Sequence, residues 1–171
     1  IWAMMIVKSE KEQGRSTMDC DTKAWDAMLR RAMVPTMDWF EQDSPYANGN
    51  WGAIVNRFRM AAAICMGDTA MYRAAIDYYF RGYDNGSLPC YISATGQCQE
   101  TGRDQGHVQL GLEAMADVCE MAWMQGDDLW GALDNRLMKG FEYAARYNLG
   151  YDVPFKTWKD LTGLYCDWTE P

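Results

Sequence analysis

Residues 96 to 109, "GQCQETGRDQGHVQ", gather Glu100 and Asp104, Arg103, four glutamines and the chain's single histidine, His107, into fourteen positions. A histidine exchanges a proton near neutral pH, a carboxylate accepts hydrogen bonds, and an arginine fork grips another carboxylate at two points. The stretch is equipped to handle an acidic ligand and to move a proton. Asp104 and Gly106 precede His107 at what reads as a helix start. The positive end of the helix dipole there favours neutral imidazole over imidazolium.

Each of these residues also has a plain reading. His107 is then a polar residue near a helix end, and Arg103 pairs in solvent with Asp104 or Glu100. Asn48, Asn50, Gln105 and Gln109 are turn and surface amides, because Asn-Gly is first of all a turn signal. Of the aromatic residues Tyr46, Trp51, Trp123 and Trp130, Trp51 adjoins the asparagine loop and is the one expected at a cleft. The motifs GxSxG, GxGxxG, HExxH and the P-loop are all absent from the sequence.

The elements that must hold these residues are helical. Apolar residues recur at three and four positions over roughly 22 to 41, 50 to 66, 69 to 82, 107 to 125 and 129 to 147. In the fourth stretch Leu110, Ala114, Val118, Met121 and Ala122 form one stripe, with Glu113, Asp117 and Glu120 off it. Gly67 and Gly126 read as helix stops, and Asp68 and Asp127 as caps of the helices that follow. The two Gly-Asp junctions lie 59 positions apart, and the same interval carries His107 back to Asn48 in "YANGNW". A repeated helical hairpin therefore places Asn48 or Asn50 on the same rim as His107.

Residues 84 to 105, with Asn-Gly, a proline and several β-formers, read as an ordered insertion containing a small hairpin. After Gly150 the helical pattern fades. Five aromatic residues and a cysteine in the last stretch predict that it packs on a surface.

One domain over 1–171 is expected from the length. A net charge of −8, with no block of Lys or Arg, excludes a nucleic-acid binder that works by neutralising phosphates. It also makes the surroundings of Arg57, Arg59 and Arg103 decisive for any acidic ligand. No apolar run is long enough for a membrane span. The six cysteines lack CxxC spacing and have only His107 as a histidine partner, so no metal and no cofactor is expected. Cys90 and Cys98 flank a turn and are candidates for a small disulfide loop, whereas Cys65 and Cys119 lie in helical patterns as core thiols. The start "IWAMMIVKSEKEQ" reads as a mature or cut terminus.

The blocks "NGNW" (48 to 51), "GQCQETGRDQGHVQLGLEAMADVCEMAWMQGDDLW" (96 to 130) and "DNRLMKGFEYAARYNLGYDVPF" (134 to 155) resemble the alginate-lyase-like polysaccharide lyases. They are nearest the branch acting on glucuronan or alginate. The resemblance spans roughly 40 to 168. It implies an all-α fold of helical hairpins in an (α/α) toroid, incomplete here, and a secreted protein acting on an acidic polysaccharide without a metal. It also implies β-elimination at a 4-O-linked uronic acid, with Asn50 (or Asn48) and His107 neutralising the uronate carboxyl group. Asn48, Trp51, Glu100, Arg103 and Gln105 are the expected substrate contacts. Relatives continue past "YCDWTE" into a segment whose tyrosine serves as base and acid. The sequence thus reads as a fragment or a minimal relative, completed by further segments of the same lyase, in which Tyr46, Tyr143, Tyr147 or Tyr165 would have to replace that base. Two other readings compete: a non-catalytic acidic-glycan-binding or structural protein on the same scaffold, and a helical-repeat interaction module.

Overall fold

Two long helices packed together form the centre of the fold, and the computed structural model describes residues 1–43, 49–82, 84–164 and 167–171, with only the backbone at position 43. The order is α1 (Trp2–Glu12), α2 (Thr22–Met28), α3 (Val34–Asp43), α4 (Gly49–Met66), α5 (Thr69–Arg81), α6 (Leu88–Tyr91), α7 (Gln105–Met124) and α8 (Ala132–Asn148). Among the described residues the chain is all-α, with one isolated antiparallel bridge between Ile92 and Cys98. No described helix is long and apolar enough to cross a membrane.

α4 packs against both α5 and α7, and α7 against α8, so α4–α5 and α7–α8 are two hairpins laid side by side. Ala61, Ala62 and Ala63 of α4 are buried with Met60, beside Ala114, Met115, Val118, Cys119, Met121 and Ala122 of α7. Small residues at the crossing let the helices approach, and full burial of a side chain such as Met60 contributes about 1.5–3 kcal/mol. Four members of the α7 stripe are buried as expected. Leu110 is the exception: it is half-buried and lines a cavity.

Gly67 and Gly126 both adopt left-handed backbone, with φ of +65° and +90°, and end α4 and α7 as anticipated. Asp68 caps α5 by accepting from the Met71 N–H at 3.1 Å. Asp127 does not cap α8. The chain runs on to Gly131 before that helix begins, and Asp127 instead accepts from the Tyr72 hydroxyl at 2.8 Å and from Arg73 at 3.1 Å, tying the two hairpin tips together. The start of α8 is kinked, with Leu133, Asp134 and Asn135 left-handed. Aspartate and asparagine tolerate that region, but leucine does not favour it.

The long helix expected over 22 to 41 exists, but a π-helical turn over Leu29–Met33 interrupts it. Pro35 gives the reason. A proline lacks the N–H of the ladder and its ring clashes with the carbonyl four residues back, here that of Arg31, and a widened turn just before it relieves both. The insertion over 84 to 105 folds as the one-turn α6 followed by a tight reversal, with Ser93 N–H donating to the Gln97 carbonyl at 2.9 Å. Cys90 and Cys98 are not joined. Cys98 Sγ points to the Gly96 carbonyl and Cys90 Sγ to that of Gly82, and all five described cysteines are free thiols. Cys65 and Cys119 are buried thiols as expected, and burial raises that of Cys119 to about 11.

The last stretch packs as its aromatic content predicts. Gln97 exchanges two hydrogen bonds with the Lys156 backbone, Asn85 donates to Asp160, and Trp168 lies against Gly102.

The backbone N–H of Met71, with help from Arg30, holds the Asp68 carboxyl below its ordinary value. That stabilisation is present above the unfolded-state pKa and is lost as pH falls through the lowered folded-state value. Asp68→Ala is therefore expected to cost about 1 kcal/mol in urea unfolding at neutral pH. The difference from the parent protein should disappear once Asp68 is protonated.

Candidate active site

His107 is the third residue of α7, and its placement follows from the cap. Asp104 closes the helix start by accepting from the His107 backbone N–H through Oδ1 at 2.9 Å. Its other oxygen, Oδ2, lies 2.6 Å from His107 Nδ1. The His107 N–H chiefly, together with the imidazole and Arg103, holds the Asp104 carboxyl below the usual carboxylate range. An ionised carboxylate only accepts, so Nδ1 must carry the proton and donate it, which leaves Nε2 as the nitrogen open to a ligand.

His107 lines a cavity of about 650 Å³ whose other walls are Thr36, Met37, Trp39 and Phe40 of α3, Trp51, Ile54 and Val55 of α4, and Leu110 of α7. Trp51 stacks on Phe40 at 6.0 Å, yet 57% of it remains exposed, as does 57% of Trp39. Trp51 is thus at a cleft with His107, as the sequence suggested, and Trp39 joins it without having been anticipated. Trp39, nine positions before Asn48, carried no periodic signal that separated it from core. Other cavities have acidic walls: Glu10 and Glu12 beside α1, Asp68 and Asp127 at the hairpin tips, and Glu113 between α7 and α8. Among the described residues, the His107 cavity has no carboxylate in its lining.

Asn50, the second residue of α4, is 0% exposed, and neither its Oδ1 nor its Nδ2 has a partner among the described residues. Asn48 and Tyr46 lie outside the described residues, as do Tyr165 and Cys166. Glu100 is also fully buried and receives Arg103 at 3.4 Å, while the Arg103 Nε is 3.9 Å from Asp104. The pair is therefore anchored in the interior at its Glu100 end and not merely solvated. Gln105 accepts from Asn148 Nδ2 at 2.7 Å, joining the start of α7 to the end of α8. Arg57 pairs with Glu113 and Asp117, and Arg59 with Asp38 and Glu41, so these two cations bind helices together. Among the described residues no three His, Cys, Asp or Glu side chains converge as a metal ion would require.

A family model described as alginate lyase matches residues 3–153. The chain belongs to the alginate lyase family. The match begins at α1, well before the blocks that carried the resemblance, so the first three helices belong to the family domain too. No curated protein and no solved structure matches the chain.

In this alginate lyase family protein the two described tyrosines considered as a substitute base are both occupied. Tyr143 donates to the Pro154 carbonyl at 2.9 Å, and burial raises its phenol to about 12. Tyr147 donates to the Pro171 carbonyl at 3.2 Å. A phenol already donating to a backbone carbonyl is poorly placed to take a proton, and that of Tyr143 is harder to ionise besides.

Asp104→Ala is expected to destabilise the protein by about 1 kcal/mol through loss of the cap. It should also release the ring: nitrogen-15 shifts of His107 should report an Nδ1-protonated imidazole in the parent protein and mixed tautomers in the variant. An unchanged tautomer would show that the carboxylate does not set it.

Proposed function

We propose that this domain carries the site of a lyase that cleaves 4-O-linked uronic-acid polymers, glucuronan or alginate, by β-elimination. The observation that carries the reading is His107, its Nδ1 held by Asp104, lining a cavity with an exposed tryptophan and no described carboxylate in a chain of net charge −8. A polyanion is repelled by acidic walls, and this cavity is the one described that spares it that cost.

The proton at C5 of a uronic acid is weakly acidic because it is α to a carboxylate. Its removal builds negative charge on that carboxyl group, so donors aimed there act mainly on the transition state. His107, with its Nδ1–H held by Asp104, offers a hydrogen from Nε2 only when both ring nitrogens are protonated, while the Asn50 amide, buried one residue before Trp51 and outside the cavity lining, has polar atoms that meet no described protein group. A base then takes the C5 proton, and an acid returns one to the O4 leaving group as the C4–O bond breaks and the C4–C5 double bond forms. Trp51 and Trp39 offer flat apolar surface for a neighbouring sugar ring. Arg103 and Gln105 stand at the start of α7 as outer contacts, and Glu100 serves by holding Arg103. Extracellular action belongs to the same proposal and rests on the polymeric nature of the substrate.

The test is ultraviolet detection of unsaturated uronate from glucuronan and from alginate. Product is expected on one of them, with His107→Ala and Asn50→Ala each lowering kcat by roughly 10²–10³-fold, the usual cost of one lost transition-state donor.

A second reading, a non-catalytic acidic-glycan-binding protein on the same scaffold, is favoured by the tied hydroxyls of Tyr143 and Tyr147 and by the carboxylate partners of Arg57, Arg59 and Arg103. It predicts binding of polyuronate by the folded protein with no unsaturated product.

A further inference from the structure

We propose that Gln99 is a positioning residue of this site, holding the first turn of α4, and with it Asn50, at a fixed place relative to His107. The inference rests on the lyase reading for its catalytic consequence, but its structural part stands on geometry alone.

The first turn of any helix leaves N–H groups without partners inside the helix. In α4 the N–H of Gly49 is met from fifty positions away, by Gln99 Oε1 at 2.8 Å. The amide orientation follows, since only the oxygen can receive an N–H. Gln99 is 1% exposed, so this bond is made in the interior and shielded from water. Its Nε2 has no partner among the described residues, and neither do the two polar atoms of Asn50 one residue beyond Gly49. Interiors seldom retain unmet amides, and their presence at one end of one helix marks a place kept for something other than packing.

Gln99 is itself fixed to the other side of the site. Its backbone N–H donates to the Tyr91 carbonyl at 2.8 Å. The Tyr91 side chain is fully buried between the two central helices: a Cβ on Gly49 would collide with its ring, and a Cβ on Gly111 with its hydroxyl. That hydroxyl donates towards the carbonyls of His107, at 3.2 Å, and Val108, at 3.4 Å. One segment thus grips the start of α4 through Gln99 and the start of α7 through Tyr91 and Asp104. The spacing between Asn50 and His107 becomes a property of that segment, with neither helix setting it alone.

The test combines an exchange measurement with a double-mutant cycle. Amide hydrogen exchange on the folded parent protein should show Gly49 N–H protected, although first-turn amides ordinarily exchange freely, and Gln99→Met should abolish that protection while the interior of α4 keeps its own. Free exchange at Gly49 in the parent protein would overturn the proposal whether or not the protein is a lyase. On the polyuronate that yields product, Q99M is expected to lower kcat by at least ~tenfold with KM within about threefold, since small misplacements of a reacting group are costly. In an Asn50→Ala background the same substitution should change kcat by less than about twofold, because the group it positions is gone. Equal losses in both backgrounds would reduce Gln99 to general structural support and sink the idea. If Q99M does not fold, Tyr91→Phe tests the other jaw: a loss of kcat that vanishes in a His107→Ala background supports the clamp, and no loss refutes it. Absence of product from the parent protein, with Gly49 protected, would reject the lyase reading and leave the clamp standing.

Discussion

The burial of Tyr91 between two glycines is the constraint on which the remaining geometry depends. A phenol ring laid against Gly49 on α4 and Gly111 on α7 sets how closely the central helices approach at their N-terminal ends. Further along, the alanines of α4 set the approach by themselves. Burial raises the Tyr91 phenol well above its ordinary value, which favours the neutral, donating hydroxyl. A neutral donor with two backbone carbonyls in reach is a stable element from which to hang a site. The segment that bears it is accordingly rich in buried polar groups, including Asp84, Asn85, Ser87, Gln97, Gln99 and Thr101.

Electrostatics then decides which surface can meet an acidic ligand. The three arginines whose surroundings the sequence left decisive are drawn into pairs, two of them bridging α4 to α3 and α7. Burial raises the Glu41 carboxyl against the opposing pull of Arg59, a sign that the α3–α4 pair is partly desolvated and structural. What remains for an anion is a cavity walled by aromatic and aliphatic side chains, with one histidine held by an aspartate. The local surroundings of the histidine outweigh the acidity of the whole chain, because fields from distant charges are screened and a carboxylate in the wall is not.

Much of the fold was legible from residue spacing. The helices at 50 to 66, 69 to 82 and 107 to 125 stand within two residues of their expected bounds, and Gly67, Gly126 and Asp68 act as stop and cap. The insertion and the packed last stretch were also foreseen. Asp127 was misread because the rule that served Asp68 assumes that a helix follows at once, whereas here four more residues, 128 to 131, intervene before α8. The Cys90–Cys98 bridge failed because spacing across a turn does not fix where two thiols point. α1 carried no assignment, since its side chains find their apolar neighbours only on α4 and around Cys65.

At the site, the sequence determined the residues that speak to near neighbours: His107 beside Asp104 at a helix start, Trp51 in the first turn of α4, and the family blocks around them. These are interactions over three or four positions, which the helix period and the cap chemistry prescribe. Tertiary structure alone decided that Trp39 would share the cavity, that Arg103 would be anchored by a buried Glu100, and that Gln99 would reach Gly49. The Gln99–Gly49 contact spans fifty positions, and Glu100, though only three positions from Arg103, owes its burial to what encloses it; no local pattern encodes either, because both exist only once the helices have packed and the insertion has been enclosed between them.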